Sequence, residues 1–315
     1  MRFFNKEILI MNIILAPDEA TDWKNELLRL IDFNGTYSKE IINKSKELAE
    51  KYLKLESIHQ NELKSGLGYL NFSNLPIDEN LCSPPCNASR PYNKGYLSEL
   101  ILLGITRACG LNPFAYQEEK KGALIHDITP INKSNNKHIS SEGILSFDFH
   151  TDGAYLPRHH RPHSLSLLCL EDRGNTPTNL VPLKEIIKDL SFETIQLLLK
   201  PNFVHTAPET FKVNNKKINS SILDLIDGNY EIKGALHSIE ALNSTSYDAL
   251  QNLRNAILKN TISKYWKKGD LIIFNNLTCM HGRGEVTDIR WLQRCYGTYT
   301  FPSNTIINID SMVNA

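Results

Sequence analysis

The sequence predicts a mainly β core, a sandwich or a barrel, that follows a helical region and carries helical insertions. In the first third of the chain, apolar residues recur at spacings of three and four. From about residue 122 this period falls to two, in short runs rich in β-branched residues. Since no Gly-, Ser- or Pro-rich linker interrupts the chain, we expect one domain over 1–315, helical to about 120 and β-rich over about 122–300.

Helical periodicity marks three segments before the core, with Asp22 and Ser38 as candidate N-caps. The segments are 18–31, 38–55 and 96–109. Residues 75–92 are rich in Pro and Asn and are predicted to form a loop. In residues 1–16 a positive start precedes an apolar stretch, but Glu7 and Asn12 interrupt it, so a β-strand is favoured over a secretion signal. Translation can start at Met1 or at Met11.

Short runs with a period of two predict the strands of the core. These runs are 123–131, 144–149, 163–170, 203–206, 271–275 and 290–300. Two stretches with helical periodicity, near 183–199 and 246–262, are predicted to be insertions.

Composition excludes several classes of function. The 315 residues hold 35 Lys plus Arg and 35 Asp plus Glu, so no net field favours nucleic acid as a partner. No run reaches the ~18–20 apolar residues of a membrane span. The six cysteines are too sparse for a disulfide scaffold, so we expect a cytoplasmic protein. The oligomeric state stays open.

A candidate metal site begins at His150-Thr151-Asp152. A His-x-Asp or His-x-Glu motif is expected by chance in a chain of this composition, so its location matters more than its presence. It ends a predicted strand, where residues two apart point to the same side. One imidazole and one carboxylate can therefore face a common point.

A second histidine follows a later apolar strand. A Gly269-Asp270 turn starts the strand 271–275, and His281 comes after its far end. Two His and one carboxylate form the set that binds Fe(II) and leaves positions open for other ligands. The same set can bind zinc, so a zinc hydrolase is an alternative.

Two arginines lie on the last predicted strand. Arg290 and Arg294 share one strand face with Leu292. Burying two guanidinium groups is costly unless anions pair with them, and Arg binds carboxylates bidentately. We therefore expect anionic ligands at these two side chains.

These four ordered motifs, over about 122–299, resemble the Fe(II)/2-oxoglutarate-dependent oxygenases of the taurine dioxygenase and clavaminate synthase group. Within that group the sequence is most similar to the hydroxylases of free arginine, lysine or asparagine. The resemblance implies a double-stranded β-helix, or jelly roll, for the β core. It also implies that His150, Asp152 and His281 bind Fe(II).

The resemblance further implies roles for the remaining polar residues. Arg290 would bind the distal carboxylate of 2-oxoglutarate together with a threonine, for which Thr178 is favoured over Thr176. Arg294 would bind the α-carboxylate of an amino-acid substrate. The other expected substrate contacts are Gln117, Ser140, Ser141 and Asp227, the last of which is also a good turn former.

The implied activity is the hydroxylation of an unactivated C–H bond of a free L-amino acid, with arginine or lysine slightly favoured. In such enzymes O₂ is consumed and 2-oxoglutarate is decarboxylated to succinate. The same cofactor chemistry could instead give desaturation, or could act on another small carboxylate or sulfonate. A non-catalytic jelly-roll sensor of a small acid is a further alternative.

Overall fold

A computed structural model describes residues 11–30, 37–131, 140–208 and 217–309. The helices are α1 (Pro17–Arg29), α2 (Lys39–Leu53), α3 (Ser57–Ser65), α4 (Leu97–Ala108), α5 (Leu183–Lys188), α6 (Phe192–Leu198) and α7 (Ser244–Lys259). The strands are β1 (Asn12–Ile14), β2 (Tyr69–Ser73), β3 (Asn112–Tyr116), β4 (Ile125–Ile128), β5 (Phe147–His150), β6 (Ser164–Asp172), β7 (Thr178–Pro182), β8 (Phe203–Thr206), β9 (Lys217–Ser220), β10 (Leu223–Ile226), β11 (Asn229–Ile232), β12 (Glu240–Ala241), β13 (Ile262–Lys264), β14 (Leu271–Asn275), β15 (Cys279–Arg283), β16 (Arg290–Thr298) and β17 (Thr305–Ile307).

Two sheets form the centre of the molecule. The larger has eight strands in the order β1-β2-β14-β6-β16-β3-β17, with β4 paired to β16. The smaller has four strands in the order β13-β7-β15-β5. Two further small sheets, β12-β8-β9 and β10-β11, lie outside them. A mainly β core with helical additions is thus present, and it is consistent with the predicted jelly roll.

Strand alternation divides the core into three apolar layers. Leu167 of β6 packs with Leu180 of β7 between the two central sheets. The next residue of β6, Leu168, lies on the opposite face of its sheet, in the apolar cluster that also contains residues of α1, α2 and α4. Val181 of β7 belongs to a third cluster, with residues of α5, α6 and α7. Helices therefore cover both outer faces, and the inner layer is left to hold a site.

The predicted helices lie where the sequence indicates, but their first and last residues differ from the predicted ones. Ser38 caps α2, since its side chain accepts a hydrogen bond from the backbone N–H of Ile41. Asp22 is not a cap, because α1 already begins at Pro17, a residue that suits the first helical turn. The insertion predicted near 183–199 is two helices, the second of which is capped by Ser191.

Several elements escape the sequence patterns. Helix α3 lies in a segment for which no element was predicted, and β15 carries too few apolar residues to be recognised as a strand. The predicted N-terminal strand is β1, and the part of it before residue 11 lies outside the described residues. Within the described ranges, no helix has the length and apolarity needed to cross a bilayer.

Candidate metal centre and active-site cavity

Three predicted ligands converge between the two central sheets. Strands β5 and β15 pair antiparallel with His281 directly opposite His150, and the two ring centroids lie 4.1 Å apart. Asp152 follows β5, and its Oδ1 lies 3.4 Å from His150 Nε2 and 3.6 Å from His281 Nε2. The three ligand atoms all lie within 4.8 Å of one another, so one metal ion can contact them all.

A glycine permits the close approach of the two strands. Gly282 follows His281 at a point where the register between β15 and β5 shifts. A Cβ on Gly282 would lie 2.8 Å from the carbonyl oxygen of Phe147, closer than real Cβ atoms come. Glycine at this position therefore allows the two histidines to face each other.

The protonation states suit a metal ion. The Nδ1 of His150 lies 2.9 Å from the carbonyl oxygen of Asp148, which fixes the tautomer with a free Nε2. Burial lowers the pKa of His281 and keeps its imidazole neutral. Burial opposes ionisation of Asp152, but the positive charge of Arg294 holds its pKa below the usual range. Two imidazoles and one carboxylate fit Fe(II), and they equally fit other divalent ions.

The backbone of Asp152 is held by an asparagine that the sequence patterns did not single out. Asn276 Oδ1 accepts a hydrogen bond from the backbone N–H of Asp152 at 2.8 Å. Its Nδ2 donates to the carbonyl oxygens of Asp152 at 2.9 Å and Pro162 at 3.0 Å. The signal available in the sequence was a polar residue directly after a buried strand.

Replacing Asn276 with alanine is expected to weaken Fe(II) binding about 10- to 100-fold, the usual cost of losing a side chain that orients a metal ligand. A matched control is Asn275→Ala, because Asn275 hydrogen-bonds to the backbone of Leu63 and Leu277, away from the metal ligands. Both variants should lose about 1–3 kcal/mol of stability. Metal titrations of the folded variants separate them, and equal Fe(II) affinities would contradict the role of Asn276.

The metal ligands lie in the wall of a cavity of about 660 Å³. Three arginines, Arg283, Arg290 and Arg294, share this cavity. The other polar residues that line it include Glu119, Ser140, Ser141, Glu142, Thr151, Thr178, Thr206, His237, Ser238 and Tyr296. A cavity with several buried cations suits a ligand that carries carboxylates.

Arg290 and Thr178 lie together on one wall. Arg290 Nη2 donates to Thr178 Oγ1 at 3.2 Å, and the same oxygen accepts from Trp266 Nε1 at 3.0 Å. The Nε of Arg290 is buried and has no hydrogen-bond partner among the described residues. Burial lowers the pKa of Arg290 to about 10, so the side chain still carries its charge at neutral pH. Thr176 does not line the cavity, and its hydroxyl points to the carbonyl of Glu285.

Arg294 bridges two acids at the metal centre. Its Nη1 donates to Asp152 Oδ2 at 2.9 Å, and its Nη2 donates to Glu119. Tyr296 also donates to Asp152 Oδ2, at 2.9 Å. The second oxygen of Glu119, Oε2, is buried and has no partner within the described chain. Arg294 is thus tied to the metal ligand as well as to the cavity.

The other predicted substrate contacts divide into two groups. Ser140 and Ser141 line the cavity. Gln117 is exposed and does not line it, because the chain turns after β3 and brings Glu119 there instead. Asp227 is also exposed and absent from the cavity wall, since Asp227 and Gly228 form the positive-φ turn of the β10–β11 hairpin. Glu119 and Glu142 are therefore acids of the cavity wall that no sequence motif indicates.

Comparisons with known proteins support one family. The model of the family described as "Taurine catabolism dioxygenase TauD, TfdA family" matches residues 103–296. An L-asparagine oxygenase of Streptomyces coelicolor is 26% identical over 242 residues, which cover 73% of this chain and 70% of that protein. An L-lysine 3-hydroxylase of Catenulispora acidiphila is 22% identical over 176 residues, 54% of this chain and 49% of that protein.

Solved structures show the same fold. Asparagine oxygenase in complex with Fe(II), 2S,3S-3-hydroxyasparagine and succinate superposes with a TM-score of 0.78 at 23% identity, over 91% of this chain and 93% of that one. The non-heme iron oxygenase OrfP in complex with Fe and alpha-ketoglutaric acid superposes with a TM-score of 0.75 at 22% identity, over 91% and 94%. At these identities the likeness establishes the fold.

Proposed function

The chain belongs to the taurine catabolism dioxygenase TauD, TfdA family, and on that premise we propose that it is an Fe(II)- and 2-oxoglutarate-dependent hydroxylase of a free L-amino acid. The reaction would take one O₂ and one 2-oxoglutarate, and would place one oxygen atom in succinate and the other on carbon, with loss of CO₂. One observation carries the proposal: a single cavity joins the His150, Asp152 and His281 ligand set to two buried arginines. The named relatives and the OrfP complexes with hydroxylated arginine support an amino acid as the substrate.

The proposed co-substrate site is the wall formed by Arg290 and Thr178. Arg290 has an unpartnered buried Nε within the described chain, and Thr178 lies within hydrogen-bond distance of it. A planar guanidinium binds a carboxylate bidentately, which suits the distal carboxylate of 2-oxoglutarate. The bound ferrous ion would supply the oxygen chemistry, and the protein would supply orientation and exclusion of water.

The proposed site for the amino-acid backbone is the pair of Arg294 and Glu119. A free amino acid presents one carboxylate and one ammonium group on the same carbon. Arg294 offers a cation for the carboxylate, the role that the family resemblance implies for it. Glu119 offers the buried oxygen Oε2, which has no partner among the described residues, for the ammonium group. These two charges therefore match a zwitterion.

The preference for arginine or lysine stays a prediction. Asp227 does not support this preference, because it lies in an exposed turn and does not line the cavity. Of the acids that line the described cavity, Glu142 pairs with Lys120, and Glu119 and Asp152 pair with Arg294. The test of function therefore includes neutral amino acids such as asparagine.

Incubation of the Fe(II)-loaded protein with 2-oxoglutarate, O₂ and each amino acid in turn tests the proposal. We expect one amino acid to gain the mass of one oxygen atom, with an equal amount of succinate. Loss of two hydrogens would indicate desaturation. A zinc hydrolase would instead act without 2-oxoglutarate, and it would leave the buried Arg290 and Arg294 in the cavity without a role.

Replacing Arg294 with glutamine is expected to raise the KM for the amino acid about 10- to 100-fold, since one charge-assisted contact is lost. Affinity for 2-oxoglutarate should stay within about twofold, because Arg290 is untouched. Arg294 also holds Asp152, so the assay needs saturating Fe(II). If the variant instead loses 2-oxoglutarate, the roles assigned to the two arginines are exchanged.

We also propose that the enzyme is cytoplasmic. All six cysteines are free, and Cys82 and Cys86 are not buried, which suits a reducing compartment.

A further inference from the structure

Arg283 is a buried arginine in the cavity that the proposed reaction leaves without a role. Its exposed fraction is 6%, and it lines the cavity wall. Its Nη2 donates to the carbonyl oxygens of Leu145 at 2.7 Å and Ser140 at 3.4 Å. Its Nε and Nη1 are buried and have no partner among the described residues. Half of the guanidinium is thus bound to the chain, and the other half offers donors without acceptors.

The position of Arg283 places these donors beside the proposed co-substrate site. Arg283 lies two residues after His281 on β15, so both side chains point to the same face of the sheet. On the adjacent strand, Thr178 lies directly opposite Arg283, and Thr178 accepts a hydrogen bond from Arg290. Arg283 and Arg290 therefore flank one threonine.

The charges at this wall are unbalanced. Both side chains end in a guanidinium group, which stays positively charged at neutral pH. No described carboxylate forms an ion pair with Arg283. Two buried cations that repel each other are stabilised by an anion between them. A ligand carboxylate at Thr178 would relieve this repulsion.

We propose that Arg283 is a second anchor for the distal carboxylate of 2-oxoglutarate, and that it links this co-substrate to the cavity wall formed by residues 140–145. This inference rests on the proposed function. The guanidinium is planar with five donors in fixed directions, so one edge can bind a carboxylate while another holds the backbone. Binding of 2-oxoglutarate would fix the orientation of Arg283. The fixed side chain would then hold the carbonyls of Ser140 and Leu145 more firmly.

The linked wall is the one that carries the predicted substrate contacts. Ser140 and Ser141 line the cavity, and two backbone hydrogen bonds join the segment to its neighbours, from Ile131 to Glu142 and from Val286 to Ile144. Ordering of this segment by the co-substrate would shape the amino-acid site before the amino acid arrives. Arg283 would thus position substrate contacts through the backbone.

The test compares the wild type, Arg283→Gln and Arg283→Lys, with Arg107→Gln as the matched control. Arg107 also has a buried Nε without a described partner, but it is on α4 and does not line the cavity. Anaerobic calorimetric titration of each Fe(II)-loaded protein with 2-oxoglutarate gives the affinity. Hydrogen exchange of the amides of residues 141–146, with and without 2-oxoglutarate, measures how strongly the co-substrate orders this segment.

We expect Arg283→Gln to bind 2-oxoglutarate about 10- to 100-fold more weakly, and to lose the protection that the co-substrate gives to 141–146 in the wild type. Arg283→Lys keeps the positive charge but lacks the planar guanidinium with its several donors. It should therefore retain most of the affinity for 2-oxoglutarate and lose the protection of residues 141–146. Arg107→Gln should behave as the wild type. The lysine variant keeps the test informative if the glutamine variant does not fold.

Two results would overturn the inference alone: an affinity of Arg283→Gln within twofold of the wild type, or wild-type amides that exchange equally with and without 2-oxoglutarate. A wild-type Fe(II) protein that does not bind 2-oxoglutarate would overturn the proposed function, and the inference with it. The wild-type titration therefore distinguishes the two failures.

Discussion

Replacing His281 with alanine is expected to abolish Fe(II) binding at micromolar metal, and turnover with it. Binding of a metal ion by four protein ligands contributes about 10–16 kcal/mol in structural zinc sites, or about 2.5–4 kcal/mol for each ligand. Loss of one ligand therefore predicts a decrease in affinity of about 100- to 1000-fold. The change is measured by anaerobic Fe(II) titration of the folded variant and by succinate release.

The control for this variant is His205→Ala. His205 is also buried, at 2% exposure, but it lies on β8 and does not line the cavity. Its removal should lower the free energy of unfolding by a few kcal/mol through the cavity left behind, without changing Fe(II) affinity. A His281→Ala protein that binds Fe(II) as tightly as the control would show that His281 is not a ligand.

Replacing Arg290 with methionine is expected to have the second-largest effect, on the co-substrate. Removal of one partner of a buried charge pair costs about 3–5 kcal/mol, which corresponds to a loss of 2-oxoglutarate affinity of hundreds- to thousands-fold. Titration with 2-oxoglutarate at saturating Fe(II) measures this loss. Arg173→Met is the control, because Arg173 is a largely exposed arginine just beyond the end of β6, which pairs with the strand that carries Arg290.

The Arg290→Met variant has a second expected property. Arg290 is buried and forms no described ion pair, so its loss should leave the unfolding free energy of the ligand-free protein unchanged or slightly higher. A ligand stabilises only the state that it binds, so 2-oxoglutarate should raise the melting temperature of the wild type and leave that of the variant unchanged. Equal stabilisation of both proteins by 2-oxoglutarate would contradict the assignment of Arg290.

The sequence predicts those structural features that depend on residues close together along the chain. Helix periodicity located α1, α2 and α4, and β-rich runs located β8 and β14 with the correct ends. The spacing of His150 and Asp152 placed an imidazole and a carboxylate on one side of a strand end, as the structure has them. Such features depend on neighbours a few residues apart, so composition and period suffice to predict them.

Features that depend on distant pairing could not be predicted in this way. The pairing of β15 with β5 sets His281 opposite His150, 131 residues away, and no local pattern in Cys279–Arg283 indicates a strand. Asn276 acts on a residue 124 positions earlier in the chain, and only the fold brings them together. These contacts come from the packing of the two sheets.

Two predicted substrate contacts lie outside the cavity because a turn changes the direction of the chain near each of them. The resemblance implies Gln117 as a substrate contact, but the turn after β3 brings Glu119 to the cavity instead. The resemblance implies Asp227 as a substrate contact, but Asp-Gly in a two-residue hairpin serves the positive φ of that turn. The path of the backbone decides both positions, although the Asp-Gly pair is itself a turn signal in the sequence.

The central claim is that His150, Asp152 and His281 hold one ferrous ion beside a site for 2-oxoglutarate. The most direct measurement is the visible absorption spectrum of the anaerobic protein during addition of Fe(II) and then 2-oxoglutarate. The account predicts a charge-transfer band that requires both additions and does not form with His281→Ala. A wild-type protein that binds Fe(II) and develops no band at saturating 2-oxoglutarate would contradict it.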